Sequence, residues 1–193
     1  MTNIRYFRNA ALVFYLVTMS SFGRTSAQIN SPKLQTIVEL VSERLSWMQA
    51  VATYKYHTGM PIEDKEREAV VLRSSIRKAS QLELDSLGVK EFYQVQILIA
   101  KKLQTRYIRD LEGTTRDPAK IIFDLDTNIR PNLLRIGDHL LKQIAQYLDH
   151  NVQIDPIDLW HYHDLLSVAH LKKREKRLIL DNLCLVKKER AGR

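Results

Sequence analysis

Three cationic side chains are spaced along the first half of the chain in a way that suits binding of an anion. Arg44 and Lys55 are eleven residues apart, which on a helix is about three turns, so both side chains point the same way about 16 Å apart. Met48 and Val51 lie between them, and such an apolar stripe should face a bundle interior. Cations on an inward face are costly unless an anion meets them. Arg67 follows Lys55 in the sequence, and the three cations together predict a pocket for a small anionic ligand.

Two further polar residues stand where apolar residues are expected. Gln104 lies four residues after Ala100, on the helix face that also carries Ile97. Arg130, in the segment NIRP, occupies a position that would normally carry an inward-facing apolar residue. Four cations and one amide, on four predicted helices, could therefore surround one ligand. The alternative is that the long side chains reach the bundle ends or pair with internal acids.

The elements that must position these residues are predicted to be long helices. The chain of 193 residues has only 6 Gly and 5 Pro, and sparse turn signals argue against many short strands. We predict an all-α fold, a bundle of five or six helices, in a single domain spanning 28–193. The expected helices cover 34–57, 62–84, 89–113, about 120–149 with an irregularity at Pro131, and one or two closing helices within 155–190.

The first 27 residues are typical of a secretory signal peptide. Arg5 and Arg8 precede an apolar run, 10–19, that is too short to span a bilayer, and small residues follow at 25–27. We therefore expect a periplasmic or secreted protein with no stable membrane anchor after cleavage. An uncleaved N-terminal anchor is the alternative.

Removal of this segment changes the charge balance. The formal net charge of +8 falls to +5, because residues 1–27 contain three arginines and no acid. A mild positive excess suits an anionic small molecule, and export argues against a nucleic-acid partner. The single Cys184 cannot form an internal disulfide.

Four segments, in order along the chain, resemble the motifs of the all-α (AroQ-type) chorismate mutases. The signal peptide and the extended C-terminal half resemble the secreted gamma subclass of that family. The likeness covers roughly residues 34–145. The segments are ERLSWMQAVATYK, PIEDKERE, FYQVQILIAKKLQTRY and DLDTNIRPNLL.

The resemblance implies a role for each cation. Arg44 would bind a carboxylate of chorismate, and Lys55 would reach the ether oxygen and a neighbouring carboxylate. Arg67 would hold the side-chain carboxylate. Arg130 resembles an arginine of the secreted subclass that replaces one supplied by a second chain in shorter relatives, so a homodimer is possible but not required for catalysis.

Four more positions match the substrate-binding motifs of the family. Gln104 would donate its amide N–H to the ether oxygen, and Glu68 would bind the ring hydroxyl. Asp64 would help to shape the same end of the pocket. At Ala100 some relatives carry Ser or Thr, whose hydroxyl contacts a carboxylate, so we expect that contact to be lost or supplied elsewhere.

The implied reaction fits this set of residues. Chorismate rearranges to prephenate in one pericyclic step, with negative charge developing on the ether oxygen, and no nucleophile, metal or redox cofactor takes part. Catalysis then consists of holding the dianion in its reactive conformation and aiming donors at that oxygen. We accordingly expect no cofactor, and chorismate as the small-molecule partner.

Two other functions remain open at this point. An isochorismate-pyruvate lyase has the same fold, a similar set of cations and a pericyclic reaction. A non-catalytic exported helical binding module would be favoured by the absence of a hydroxyl at Ala100. An assay with both chorismate and isochorismate would distinguish a mutase from a lyase. Lys55→Ala or Gln104→Ala would lower kcat in an enzyme but would change nothing measurable in a binding module.

Overall fold

The computed structural model describes residues 31–113 and 123–189. The predicted signal peptide lies outside these ranges. The α-helices are α1 (Pro32–Ser46), α2 (Met48–Thr58), α3 (Lys65–Gln81), α4 (Ser86–Glu112), α5 (Arg130–Leu148), α6 (Pro156–Trp160) and α7 (Lys173–Leu183), with a π-helical turn at Leu125–Ile129 and a 3-10 turn at His163–Leu165. No strand occurs in the described ranges, and the prediction of an all-α bundle is confirmed.

The predicted first helix is divided into α1 and α2. Ser31 caps α1, its Oγ accepting a hydrogen bond from the Leu34 N–H at 3.4 Å. Trp47 is the one residue between the two helices, and its ring packs edge-to-face on Phe123 with the centroids 5.5 Å apart. That partner is remote in sequence, so the helical periodicity of 34–57 could not reveal the division. Gly59, with φ 69°, ends α2 in the left-handed region as expected.

Aspartates set the starts of the next two helices. Asp64 caps α3 by accepting from the Arg67 N–H at 2.9 Å, so this helix begins three residues later than predicted. Asp85 caps α4 by accepting from the backbone N–H groups of Leu87 and Gly88. We expected Gly88 to lie in a break, but it is helical and buried. The reason for a glycine is close packing, because a Cβ there would lie 2.5 Å from the carbonyl oxygen of Leu185.

The predicted fourth helix starts later than about residue 120. Asp124 is not helical and caps the π-helical turn, accepting from the N–H groups of Asp126 and Thr127. The turn ends where α5 begins at Arg130, next to Pro131. The expected irregularity at Pro131 is therefore present, as a π turn before the proline. Because α5 begins directly behind it, this turn sets the direction of Arg130.

The C-terminal part is less helical than predicted. Between α6 and α7 the chain makes a 3-10 turn and an irregular segment that includes His170, whose φ is 65°. Arg106 on α4 holds this part in place through two hydrogen bonds to Glu175 on α7, 2.7 and 2.6 Å long. Beyond α7, Leu84 and Lys188 form an isolated antiparallel bridge.

The helices pack around α4, which contacts α2, α3 and α7, while α1 packs on α5. The stripe predicted to face inward is buried, with Met48 and Val51 each 6% exposed and Ala52 fully buried. On α4, Phe92, Ile99 and Leu103 are fully buried. This packing brings the inner faces of α1 to α5 together around one cavity.

Candidate active site

A cavity of about 640 Å³ lies between the inner faces of α1 to α5. All eight residues singled out in the sequence line it. They come from five helices and the N-cap of α3: Arg44, Lys55, Asp64, Arg67, Glu68, Ala100, Gln104 and Arg130. Their convergence, which the sequence predicted, is therefore observed. What each residue does there stays a prediction.

Arg44 is held from three sides. Its Nε donates to Oε1 of Gln96 at 3.0 Å, and its Nη1 lies 3.5 Å from the carbonyl oxygen of Leu133. The guanidinium also lies over the ring of Tyr93, with 5.3 Å between its central carbon and the ring centroid. These contacts fix the plane of the guanidinium and leave other N–H groups for a ligand.

Lys55 is only 7% exposed, which is unusual for a lysine. Its Nζ donates to the carbonyl oxygen of Ile62 at 2.7 Å, in the loop between α2 and α3. That bond uses one of three N–H donors. The ammonium therefore has donors left for an anion at the floor of the cavity.

Arg67 on α3 and Arg130 on α5 both line the cavity and differ in their partners. Arg130 pairs with Asp126 one turn before it and with Asp64, the latter at 3.4 Å. In the part of the chain that the structure describes, no hydrogen bond or ion pair is recorded for the guanidinium of Arg67. The side chain of Arg67 is the one most evidently left for a ligand.

Gln104 is 6% exposed and has weak polar contacts. Its Nε2 lies 3.5 Å from the sulfur of Met48, and its Oε1 has no hydrogen-bond partner among the described residues. A buried amide is normally better satisfied. Ala100, one turn earlier on α4, presents only a methyl group to the same cavity.

Glu68 is paired at the edge of the cavity. The Nζ of Lys101 lies 3.1 Å from its Oε1 and also contacts Glu63 at 3.4 Å. The hydrogen bond to Glu68 is the largest cause of the raised pKa of Lys101. The carboxylate of Glu68 also attracts Lys55, since its negative charge acts to raise the pKa of that ammonium against the effect of burial.

The electrostatic state of the cavity favours an anion. The pKa of each of Arg44, Lys55 and Arg67 is lowered, chiefly because burial removes water from the charged group. Repulsion from Arg67 lowers the pKa of Arg44 further, and repulsion from Arg130 does the same for Lys55 and Arg67. Asp64 opposes the shift at both Lys55 and Arg67, so the net positive charge of the cavity is partly offset from within. A ligand with two negative charges would remove both penalties.

Sequence reasoning missed five residues that shape this cavity or its wall. Arg73, Arg77, Tyr93 and Lys101 line the cavity. Gln96 supports Arg44 from behind. A signal was present for Gln96, which stands eight residues before Gln104 in a row of apolar residues, as the second polar residue on one face of α4.

The histidines near the C-terminus do not form a shared site. His163 stacks on Trp160 with the ring centroids 4.5 Å apart, whereas His170 bonds to Asp110 at 2.7 Å and contacts Tyr107. A spacing of seven residues would place the two histidines on one face of a helix, but neither lies in an α-helix. The described ranges contain no group of three His, Cys, Asp or Glu residues placed to hold a metal ion.

Comparison with known proteins identifies the domain that carries most of these residues. Residues 35–105, which include Arg44, Lys55, Arg67 and Gln104, match the family model described as chorismate mutase type II. These residues form a chorismate mutase type II domain. The match ends before the π turn and α5, so the Arg130 side of the cavity lies beyond the matched residues.

Relatives extend the similarity beyond the family model. The chain is 29% identical over 172 residues to a protein named secreted chorismate mutase from Yersinia pestis, covering 89% of this chain and 91% of the relative. It is 29% identical over 166 residues to a protein named monofunctional chorismate mutase from Enterobacter agglomerans, covering 85% of this chain and 89% of the relative.

Solved structures agree in fold. The crystal structure of the secreted chorismate mutase from Yersinia pestis superposes with a TM-score of 0.71 at 28% identity, covering 79% of this chain and 97% of that one. The chorismate mutase from Burkholderia thailandensis superposes with a TM-score of 0.63 at 24% identity, covering 79% and 97%; this likeness concerns the fold alone.

Proposed function

We propose that this protein is a chorismate mutase that converts chorismate to prephenate. One observation carries the proposal: Arg44, Lys55, Arg67, Arg130 and Gln104 line one cavity of about 640 Å³. The chorismate mutase type II domain at residues 35–105 and the names of the relatives support it. The cavity is large enough for a substrate of this size, since small-molecule sites commonly measure about 300–1,000 Å³.

In this proposal the arginines bind and orient the dianion. The guanidinium of Arg67 forms no hydrogen bond or ion pair among the described residues, although the carboxylates of Asp64 and Asp126 attract it, and it would take the side-chain carboxylate of chorismate. Arg44, already held by Gln96 and Tyr93, would take a carboxylate through its remaining N–H groups. Binding both carboxylates folds the flexible substrate so that the two carbons that bond are close, which is the proximity contribution to catalysis.

Lys55 and Gln104 would act on the ether oxygen. As the C–O bond breaks and the C–C bond forms, negative charge grows on that oxygen. The ammonium of Lys55 and the amide N–H of Gln104 can both donate to it, and their burial strengthens the interaction. The weak contact of the Gln104 amide with Met48 is easily exchanged for one with the substrate.

Glu68, Asp64 and Arg130 would define the end of the pocket that holds the ring. Glu68 would accept the ring hydroxyl while Lys101 neutralises its charge. Asp64 fixes Arg67 through the helix cap and Arg130 through an ion pair. Arg130 would supply the remaining positive charge from the same chain.

Export is the second part of the proposal. Residues 1–27 would act as a signal peptide, and the domain 28–193 would work in the periplasm or outside the cell. The relative named secreted chorismate mutase supports this location. In the ranges 31–113 and 123–189, no helix is both long enough and apolar enough to cross a membrane.

The decisive experiment follows chorismate loss by absorbance with purified residues 28–193, with isochorismate assayed in parallel. We expect turnover of chorismate and formation of prephenate. Lys55→Ala and Gln104→Ala should each lower kcat by about 10²–10³-fold while the fold is kept. Lys102→Ala, an exposed lysine on α4, is the matched control and should leave kcat unchanged.

Two results would contradict the proposal. Release of pyruvate from isochorismate without conversion of chorismate would indicate the lyase. Absence of turnover with either substrate, in a folded protein, would indicate a binding module.

A further inference from the structure

Gln96 is the most deeply buried polar side chain beside the cavity, with 1% exposure. It lies on α4 behind Arg44 and does not line the cavity itself. Its Oε1 accepts the hydrogen bond from Arg44 Nε at 3.0 Å. No role in substrate binding has so far been given to it.

The contact determines which part of Arg44 faces the cavity. Nε is used by Gln96, one N–H of Nη1 points toward the carbonyl oxygen of Leu133, and Tyr93 covers one face of the guanidinium. Three of the five N–H donors of a guanidinium then remain. Because Nε is on the Gln96 side, those donors are on the outer end of the fork, the end that binds a carboxylate with two bonds.

The amide is not the residue that stability alone would favour. The Nε2 of Gln96 is buried and has no hydrogen-bond partner among the described residues, which costs free energy. A glutamate would have no such orphan donor and would form an ion pair with Arg44. It would also neutralise the arginine, and a substrate carboxylate would then have to compete with it. A neutral acceptor orients Arg44 and leaves its charge unmatched.

We propose that Gln96 is a positioning residue that orients Arg44 as a neutral acceptor and so keeps its positive charge for a substrate carboxylate. This inference rests on the proposed chorismate mutase activity. It concerns binding more than the chemical step, because a carboxylate carries its charge in both the ground state and the transition state.

The test replaces the amide by a carboxylate and by an apolar side chain of similar length. We expect Gln96→Glu to raise the KM for chorismate about tenfold or more, with kcat within about threefold of the unaltered protein. Its thermal midpoint should be equal or higher, because the orphan donor is gone and Arg44 gains a charged partner. Gln96→Met removes the acceptor and should raise KM and lower the thermal midpoint together. Gln94→Glu, which adds the same charge on the exposed face of α4, should change neither.

A binding measurement keeps the inference separate from the proposed activity. Calorimetry with a stable bicyclic dicarboxylate that mimics the rearranging substrate should show weaker binding to Gln96→Glu than to the Gln94→Glu control. An unchanged dissociation constant and an unchanged KM in folded Gln96→Glu would overturn the role of Gln96. If the unaltered protein binds the dicarboxylate but does not convert chorismate, the proposed activity fails, and the calorimetric comparison still decides the role of Gln96.

Discussion

The amide of Gln104 determines how the proposed reaction should respond to pH. Glutamine donates a hydrogen bond at any pH, whereas a carboxyl group donates only when protonated. Gln104 is buried next to Met48 and has an unpartnered oxygen among the described residues. Because only the amide N–H of Gln104 can donate a hydrogen bond, this is the group that would bind the ether oxygen.

Gln104→Glu should work well only in acid. We expect its kcat to fall about 10²-fold between pH 5 and pH 8, because the ionised carboxylate removes a donor and places negative charge where negative charge develops. The unaltered protein should show no such fall on account of this residue. The check is a pH–kcat profile, with Gln49→Glu on the exposed face of α2 as the control. A flat profile for Gln104→Glu would remove Gln104 from the mechanism.

Ala100 offers a way to add a contact rather than remove one. It lies on the same face of α4 as Gln104 and lines the cavity with a methyl group. Ala100→Ser places a hydroxyl there, and one added hydrogen bond of about 1 kcal/mol would lower the KM about fivefold. Steady-state kinetics beside Ala69→Ser, an α3 position outside the cavity lining, measures this. A KM that rises or does not change would mean that the contact is already supplied by another residue.

At the scale of elements, α4 both lines the candidate active site and packs against the C-terminal segment. Its inner face holds Ala100 and Gln104, and its first turn packs against the backbone of Leu185 at Gly88. The carbonyl oxygen of Leu185 is part of the main chain and cannot swing away. A glycine at this point therefore lets the C-terminal segment approach α4.

Gly88→Ala should destabilise the fold by about 1–3 kcal/mol, because the new Cβ would lie 2.5 Å from that oxygen. Gly113→Ala is a matched control at the other end of α4, where the nearest atom to a Cβ is 3.5 Å away. That change should be neutral or slightly stabilising. Urea unfolding midpoints measure both. Equal midpoints would mean that the C-terminal segment is not closely packed on α4.

Sequence reasoning predicted the parts of the site that depend on local periodicity. Arg44 and Lys55 both line the cavity as their spacing predicted, although they lie on α1 and α2 and not on one continuous helix, and Gly59 ends α2 because it can adopt positive φ. The parts that it missed depend on partners distant in sequence. Trp47, which packs on Phe123, separates α1 from α2. Lys101 on α4 forms an ion pair with Glu68 on α3. Nothing in the local pattern around those residues encodes such contacts.

At the scale of the whole molecule, an ion pair between Arg106 on α4 and the buried Glu175 on α7 helps to join the C-terminal part to the helices that line the cavity. Glu175 is 6% exposed and accepts two hydrogen bonds from Arg106 and one from the Lys172 N–H at 3.1 Å. The hydrogen bond from Arg106 is the largest cause of the lowered pKa of Glu175, whose ordinary value is 4.5. A carboxyl group with a lowered folded-state pKa stabilises the fold above its unfolded-state pKa, and that stability is lost as pH falls through the folded-state pKa.

Glu175→Gln should therefore lose about 1–3 kcal/mol of stability at pH 7 and show a smaller further loss in acid than the unaltered protein. Denaturation midpoints at pH 7 and below pH 4.5 give the comparison. Asp181→Asn is the control, since Asp181 forms an exposed pair with Arg177 on the same helix at 3.6 Å. Parallel pH profiles for Glu175→Gln and the unaltered protein would exclude this carboxylate as a source of acid sensitivity.

The cavity is lined by residues of one chain, including Arg130. If the site is complete in this way, activity per mole of protein should stay constant on dilution, whether or not the protein forms a homodimer. Assays over a wide range of protein concentration, with the oligomeric state followed by light scattering, test this. A loss of specific activity that follows dissociation would show that a second chain contributes to the site.

The guanidinium of Arg67, which forms no hydrogen bond or ion pair among the described residues, should also bind anions from the medium. A cluster of desolvated cations does not distinguish strictly between one compact polyvalent anion and another, so citrate, malonate or phosphate should occupy the cavity and slow turnover. Rates measured in an amine buffer of equal ionic strength should be higher, and the protein should melt at a lower temperature there, because the vacant cavity keeps its like charges in mutual repulsion.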